Sequence, residues 1–295
     1  MNDDREHVTP SAWKAIVRPA FLSLAWACTL LAHPLSRADA VADWNRIALH
    51  TMAQSAERPE RRLNTMATLN VAMFEALNFV RGRYHPRFAV GSRGMDGLSL
   101  DAVAAAAAHH VLVSAYPDRE AALDAALGAF MDALPGDHGR ASGAIAGASI
   151  AAIVRAGTST DEGTSEFASI KPWLPAASWS LEAKVAQAVP FGPRADPLGW
   201  SPIVTELIAA RFPALDESAR IHALTSIVAA EAYFIALDTP ERCAPCIAAA
   251  AVAHILAAEV GEGGSGSTAP DADREIGRAL ARSTLNEYYR LRARP

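Results

Sequence analysis

The pair Cys243 and Cys246 has the residue type and spacing that most directly suggest chemistry. It lies in PERCAPCIAAAAVAHILAAEVG, residues 240–261, at the start of an alanine-rich segment. Such a pair can be a redox dithiol, part of a zinc site or a structural disulfide. A redox dithiol needs a fold of alternating strands and helices, and zinc needs two more ligands, which no second cysteine pair or close His-x-x-x-His supplies. We favour a short disulfide that tightens the start of a helix.

Three histidines are candidates for metal binding or proton transfer. His109 and His110 are adjacent, so on a helix their side chains point about 100 degrees apart and cannot share one ligand site unaided. We expect them to be structural. His254 follows Cys246 by two helical turns and could approach the same pocket, although a lone histidine is more often a satisfied core residue. The sequence therefore predicts no metal site.

Arginines near the cysteine pair are the remaining candidates for anion binding. Arg242 directly precedes the pair, and Arg274, Arg278 and Arg282 recur every four residues near the C-terminus. Acidic residues interrupt that row, which favours a solvated helix face of mixed charge. We take Arg242 and His254 as weak candidates for an anion site, and the sequence contains no nucleophile elbow and no phosphate-binding glycine loop.

The N-terminal segment has the order of a secretory signal. Basic residues precede the apolar run AFLSLAWACTLLAHPL, and SRADA ends in an Ala-x-Ala pattern, so we expect residues 1–40 to be removed and the protein to be periplasmic or secreted, although an uncleaved anchor stays possible. Without its signal the chain needs no membrane span. Cys28 would be lost with the signal, and an oxidising compartment favours the disulfide. The net charge of -5 argues against nucleic acid as a partner.

The elements that must hold these residues are predicted to be helices. Period-2 runs and hairpin turns are scarce, whereas alanine-rich segments with helical periodicity recur. Within residues 60–80 one stripe of apolar residues is expected to face the core, and Ser99 is expected to cap the next helix. The segment HGRASGAIAGASIAAIVRAG carries small residues spaced for close helix contact. We expect one domain, residues 41–295, of the all-α class.

Two stretches interrupt the helical pattern. Residues 157–202 are rich in Pro, Gly, Ser and Trp and are predicted to be a long irregular connection over the helices. Helical signals resume at Asp216, which we expect to be a cap. Residues 261–273 are predicted to form a flexible loop before a last helix.

Several segments together resemble the vanadium-dependent haloperoxidase family, in the superfamily that includes type 2 phosphatidic acid phosphatases. They are VADWNRIALHTM, RRLNTMATLNVAMFEALNFV, ARIHALTSIVAAEAYFIALD and the cysteine segment. The resemblance covers most of residues 41–295. It implies a helical bundle that holds vanadate or phosphate in a cage of a Lys, an Arg-Pro, a helix-opening Ser-Gly-His or Ala-His-Cys element, and a C-terminal Arg and His.

This chain departs from that cage at several positions. After AEAYFIALD it passes almost directly to Pro240, where the family continues with the Lys and the Arg-Pro segment. Pro245 stands where the family has the helix-opening His, and GSGSTAPDAD contains no histidine. We therefore expect a degraded oxyanion site.

The resulting expectation is an all-α bundle of the haloperoxidase and acid phosphatase type that no longer catalyses the family's reaction. Such a protein would bind an unknown protein or small molecule and would need no cofactor. The alternative is an active haloperoxidase or phosphatase with a rearranged site, for which vanadate would be the cofactor. A homo-oligomer stays open.

Overall fold

Helices account for all regular structure in the part of the chain that can be described. The computed structural model describes residues 39–84, 86, 88, 95–136, 138–158, 196–212, 214–237 and 244–260. No strand occurs in those ranges, so the all-α prediction is confirmed for them. The described helices belong to one compact unit that begins at Asp39.

Eight α-helices lie within these ranges. In chain order they are α1 (Ala40–Ala53), α2 (Pro59–Arg81), α3 (Leu100–Ala115), α4 (Glu120–Ala133), α5 (Arg140–Thr158), α6 (Ser201–Arg211), α7 (Leu215–Leu237) and α8 (Ala244–Val260). A short 3-10 turn, Pro117–Arg119, leads into α4.

Helix α2 is the centre of the bundle. Fifteen of its 23 residues are buried, so it is covered on more than one face. It packs against α1, α3, α5 and α7, and α8 packs on the far side of α7. The predicted apolar stripe of α2 is confirmed as buried, at Leu63, Met66, Met73, Leu77 and Val80.

Helices α3 and α5 approach each other closely through glycines of the predicted small-residue segment. A Cβ atom on Gly143 would lie 2.8 Å from the carbonyl oxygen of Ser99, and a Cβ on Gly147 would overlap the carbonyl oxygen of Val103. Only glycine allows the two backbones to approach this closely. The prediction of close contact through small residues is confirmed.

Side-chain caps fix the first turns of two helices. The Ser99 hydroxyl accepts a hydrogen bond from the backbone N–H of Ala102 at 3.3 Å, which confirms the predicted cap of α3. The carboxylate of Asp39 accepts from the N–H groups of Val41 and Ala42 at the start of α1. Helix α1 thus begins at Ala40, the last residue of the predicted signal, and signal cleavage stays a prediction.

Two predictions about the second half of the chain need correction. Helix α6 begins at Ser201, inside the expected irregular connection, because Pro202 lies in its first turn, where the missing N–H costs no hydrogen bond. Helix α7 begins at Leu215, so Asp216 lies inside its first turn, and its carboxylate accepts a 2.8 Å hydrogen bond from Nη1 of Arg83 instead of capping the helix. Residues 159–195 of the predicted connection, the predicted loop 261–273 and the C-terminal helix with its arginine row lie outside the described residues.

Helices α4 and α5 lie towards the surface. Leu123 is the one buried residue of α4. By length and composition alone α5 could cross a membrane, since its most apolar stretch has a mean hydropathy of 1.2, and 33% of that stretch is buried within the bundle. It is the one such helix among those described, and core helices of soluble proteins share these properties.

Candidate functional site

The cysteine pair and Arg242 cannot be placed as a site. Arg242 and Cys243 lie outside the described residues, as does the side chain of Cys246, although the backbone of Cys246 lies in the first turn of α8. The disulfide therefore stays a prediction. His254 lies on α8 as predicted, where it is half-buried.

The adjacent histidines point to different neighbours, as expected from their spacing. Nε2 of His109 lies 2.8 Å from Oδ1 of Asp124 on α4. Burial lowers the pKa of His110, and the nearby charges of Arg155 and His109 lower it further. Within the described ranges no three His, Cys, Asp or Glu residues are grouped to hold a metal ion.

A groove between α1 and α4, within the described residues, is a concave site that sequence reasoning missed. Its volume is about 490 Å³, within the range of about 300 to 1,000 Å³ typical of small-molecule sites. Helix α1 contributes residues one turn apart on one face, and the other wall comes from the 3-10 turn and α4. The lining residues are Arg46, Ile47, His50, Thr51, Gln54, Arg119, Ala122, Leu123 and Ala126.

Aromatic packing behind the groove sets the position of its two walls. Trp44 of α1 is fully buried, and its ring meets the ring of His109 edge-on at 6.1 Å and that of Phe130 of α4 at 6.5 Å. Edge-to-face contacts of this kind favour a defined ring orientation. Since His109 is also bonded to Asp124, α1, α3 and α4 are joined at one place.

Gln54 links the polar groups along one side of the groove. Nη1 of Arg119 donates to Oε1 of Gln54 at 3.1 Å, and Nη2 donates to its backbone carbonyl at 3.3 Å. With Oε1 used in this way, the amide Nε2 of Gln54 faces Nε2 of His50 at 2.7 Å. An amide nitrogen can only donate, so His50 accepts at Nε2 and carries its proton on Nδ1. The imidazole and the guanidinium are thus held in fixed positions.

Arg46 lies on α1, on the same wall of the groove as His50, with most of its side chain in solvent. Its side chain is 57% exposed, and Nη1 donates to Oδ1 of Asp43 at 2.7 Å. Burial raises the pKa of Asp43, and the charge of Arg46 offsets part of that effect. The groove therefore combines an apolar floor with two guanidinium groups, each paired with an aspartate, since Nε of Arg119 lies 3.3 Å from Asp118.

A second polar cluster joins the segment that follows α2 to α7 and α8, and its buried cation has two carboxylate partners. The Arg220 side chain is 4% exposed, and its Nη2 lies 2.6 Å from a carboxylate oxygen of both Glu217 and Glu259. The Tyr84 hydroxyl donates to Glu217 at 2.5 Å, and the Arg220 guanidinium lies 6.0 Å from the centre of the Tyr84 ring. A buried cation needs such partners, so the cluster has a structural explanation.

Buried polar side chains in the core also bind one another. Asn45 and Asn70 exchange amide hydrogen bonds of 2.9 and 3.0 Å, and Nδ2 of Asn70 lies 2.9 Å from the hydroxyl of Ser226. These contacts join α1, α2 and α7. The amide and hydroxyl groups of these three side chains are thus used within the core.

His222 is a buried imidazole on α7. It is 2% exposed, and burial lowers its pKa to about 3. Such a group is neutral near pH 7 and binds a proton poorly, so it is unsuited to general-base catalysis.

The comparisons with known proteins assign no family to this chain. No family model, no curated protein and no solved structure matches it.

Proposed function

We propose that this chain is an exported, non-catalytic ligand-binding protein built on a helical bundle of the vanadium haloperoxidase and acid phosphatase type. The observation that supports ligand binding is the groove between α1 and α4. It has the volume and the mostly apolar lining of a small-molecule site, with a few polar groups held in place by hydrogen bonds.

Loss of catalysis is supported by the sequence at the positions where the family builds its cage. The Lys and the Arg-Pro segment are missing before Pro240, and Pro245 offers neither an imidazole nor a backbone N–H. A vanadate or phosphate ion needs several charge-assisted hydrogen bonds to replace its water shell. Within the described core, the polar side chains around Arg220 bind one another, and so do those around Asn70, which leaves both sets poorly suited to replace the cage.

The ligand is a small molecule or a partner protein, taken up in the periplasm or outside the cell. The net charge of -5 disfavours nucleic acid. The protein needs no cofactor, and vanadate would be required only if the family's activity persisted.

Turnover and groove binding should be measured on the same purified full chain. With orthovanadate, peroxide and bromide we expect no halogenation of a phenolic dye, and with a phosphomonoester we expect no release of phosphate. Halogenation that disappears in Arg242→Ala would establish the active alternative instead.

For binding, a panel of anionic, neutral and cationic small molecules is screened for a shift of the melting temperature. Ala122→Trp fills the groove, and Ala121→Trp, on the same exposed helix but outside the lining, is the matched control. We expect at least one class of compound to stabilise the wild type and Ala121→Trp but not Ala122→Trp. Equal shifts in both variants, or none in the wild type, would contradict the groove as a ligand site.

A further inference from the structure

The two walls of the groove differ from its rim in chemistry, and this difference indicates a ligand class. Ile47 and Leu123 form the floor, and Leu123 is 2% exposed. Ala122 and Ala126 lie one turn apart on α4, where their small side chains leave space above the floor. Such a surface favours a hydrocarbon body over a sugar or a nucleotide, whose hydroxyl and phosphate groups would lose hydrogen bonds to water.

Arg119 offers donors at the rim that fit a single acidic group. Its Nε lies 3.3 Å from Oδ2 of Asp118, and Gln54 takes one N–H from each of its two Nη atoms, so the guanidinium is oriented while an N–H remains on each Nη. Arg46 lies two turns before Gln54 on α1 and donates to Asp43, so it is a separate charge of the groove. A carboxylate accepts two parallel N–H groups from a guanidinium in the geometry that arginine presents.

We propose that the groove binds an amphiphilic monocarboxylate, with its acid group at the Arg119 guanidinium and its hydrocarbon chain on Ile47 and Leu123. The inference rests on the proposed function and names the ligand class of the same groove. His50 contributes an Nδ1–H donor, because its Nε2 accepts from Gln54.

Decanoate is a suitable probe, titrated into the full chain by isothermal calorimetry below its micelle concentration. Decanol tests the acid group, decyltrimethylammonium tests the sign of the charge, and acetate tests the need for the chain. We expect saturable one-to-one binding of decanoate that weakens as salt is added. Decanol should bind at least tenfold more weakly, and decyltrimethylammonium and acetate should not bind.

Variants of groove residues test where the carboxylate of decanoate binds. Ala122→Glu adds a carboxylate at an exposed position of the groove, and Arg119→Gln removes the guanidinium at its rim; each should weaken decanoate binding at least tenfold. Arg58→Gln removes an exposed charge outside the groove and should leave binding unchanged. Circular dichroism melting curves establish that each variant is folded, and the two groove variants serve as checks on each other.

The possible outcomes distinguish a failure of the carboxylate inference from a failure of the proposed ligand-binding function. If decanol binds as tightly as decanoate and Ala122→Trp abolishes both, the groove is a ligand site but the carboxylate inference is wrong. If decanoate binds equally to Ala122→Glu, Arg119→Gln and the wild type, it binds elsewhere and the inference is wrong. If decanoate does not bind, the inference is wrong, and the compound panel decides whether the ligand-binding function survives.

Discussion

His222 illustrates at the scale of one residue how burial couples folding to pH. In the folded chain its pKa is lowered to about 3 because the imidazole is removed from water. In the unfolded chain its pKa returns to about 6.5. Between these two values the unfolded chain binds a proton that the folded chain does not, so His222 lowers the free energy of unfolding as the pH falls below about 6.5.

Replacing His222 by Leu should therefore flatten the pH dependence of stability. Between about pH 7 and pH 5 we expect the wild type to lose about 2 kcal/mol more than His222→Leu, measured by urea unfolding at each pH. His138→Leu changes an exposed histidine and should keep the wild-type slope. Identical slopes for the wild type and His222→Leu would show that the imidazole is accessible to protons in the folded chain.

The Asp216 ion pair shows what a residue's type cannot predict. An aspartate before an apolar helical stripe is a common cap, and the sequence contains nothing that distinguishes a cap from an ion pair. Its partner Arg83 is 133 residues away, so only the antiparallel packing of α2 on α7 brings them together.

At the scale of the element, the contact between α3 and α5 depends on two glycines. Gly147 lies against the Val103 carbonyl oxygen, with no space for a Cβ atom. Gly128, on the peripheral helix α4, has nothing within 4 Å of a Cβ position. The same substitution should therefore have opposite effects at the two positions.

Gly147→Ala should lower the free energy of unfolding by about 1 to 3 kcal/mol, because α3 and α5 must separate to accept the methyl group. Gly128→Ala should raise it by about 0.5 to 1 kcal/mol, because alanine favours the helix more than glycine. Urea unfolding of both variants checks the pair. A Gly147→Ala protein as stable as Gly128→Ala would mean that the two helices are further apart than described.

Helices are predicted correctly where residue types determine local geometry. They are predicted incorrectly where a proline is read only as a sign of irregular structure. The Ser99 cap and the small-residue segment of α5 could be predicted because capping and close approach depend on specific side chains. Helix α6 is not predicted from the sequence because Pro202 ends a segment rich in Pro, Gly, Ser and Trp, although proline is well tolerated in a first turn.

At the scale of the whole molecule, the groove depends on packing between segments far apart in sequence. Arg46, His50 and Gln54 recur at helical spacing, which is the signal that could have identified one wall. The other wall, at Arg119 and Ala122, is held against it by the packing of Trp44 on His109 and Phe130 and by the hydrogen bonds from Arg119 to Gln54. The sequence motifs concern the cysteine helix instead, so the groove could not be predicted from them.

A pair of amide NMR titrations of the ¹⁵N-labelled full chain, one with decanoate and one with orthovanadate, tests whether a ligand binds at the groove between α1 and α4 and whether oxyanion binding has been lost. We predict that decanoate shifts the amide signals of His50, Gln54 and Ala122 in a saturable way and that orthovanadate shifts none. Saturable shifts caused by orthovanadate at the start of α8, with the groove signals unchanged by decanoate, would contradict the account.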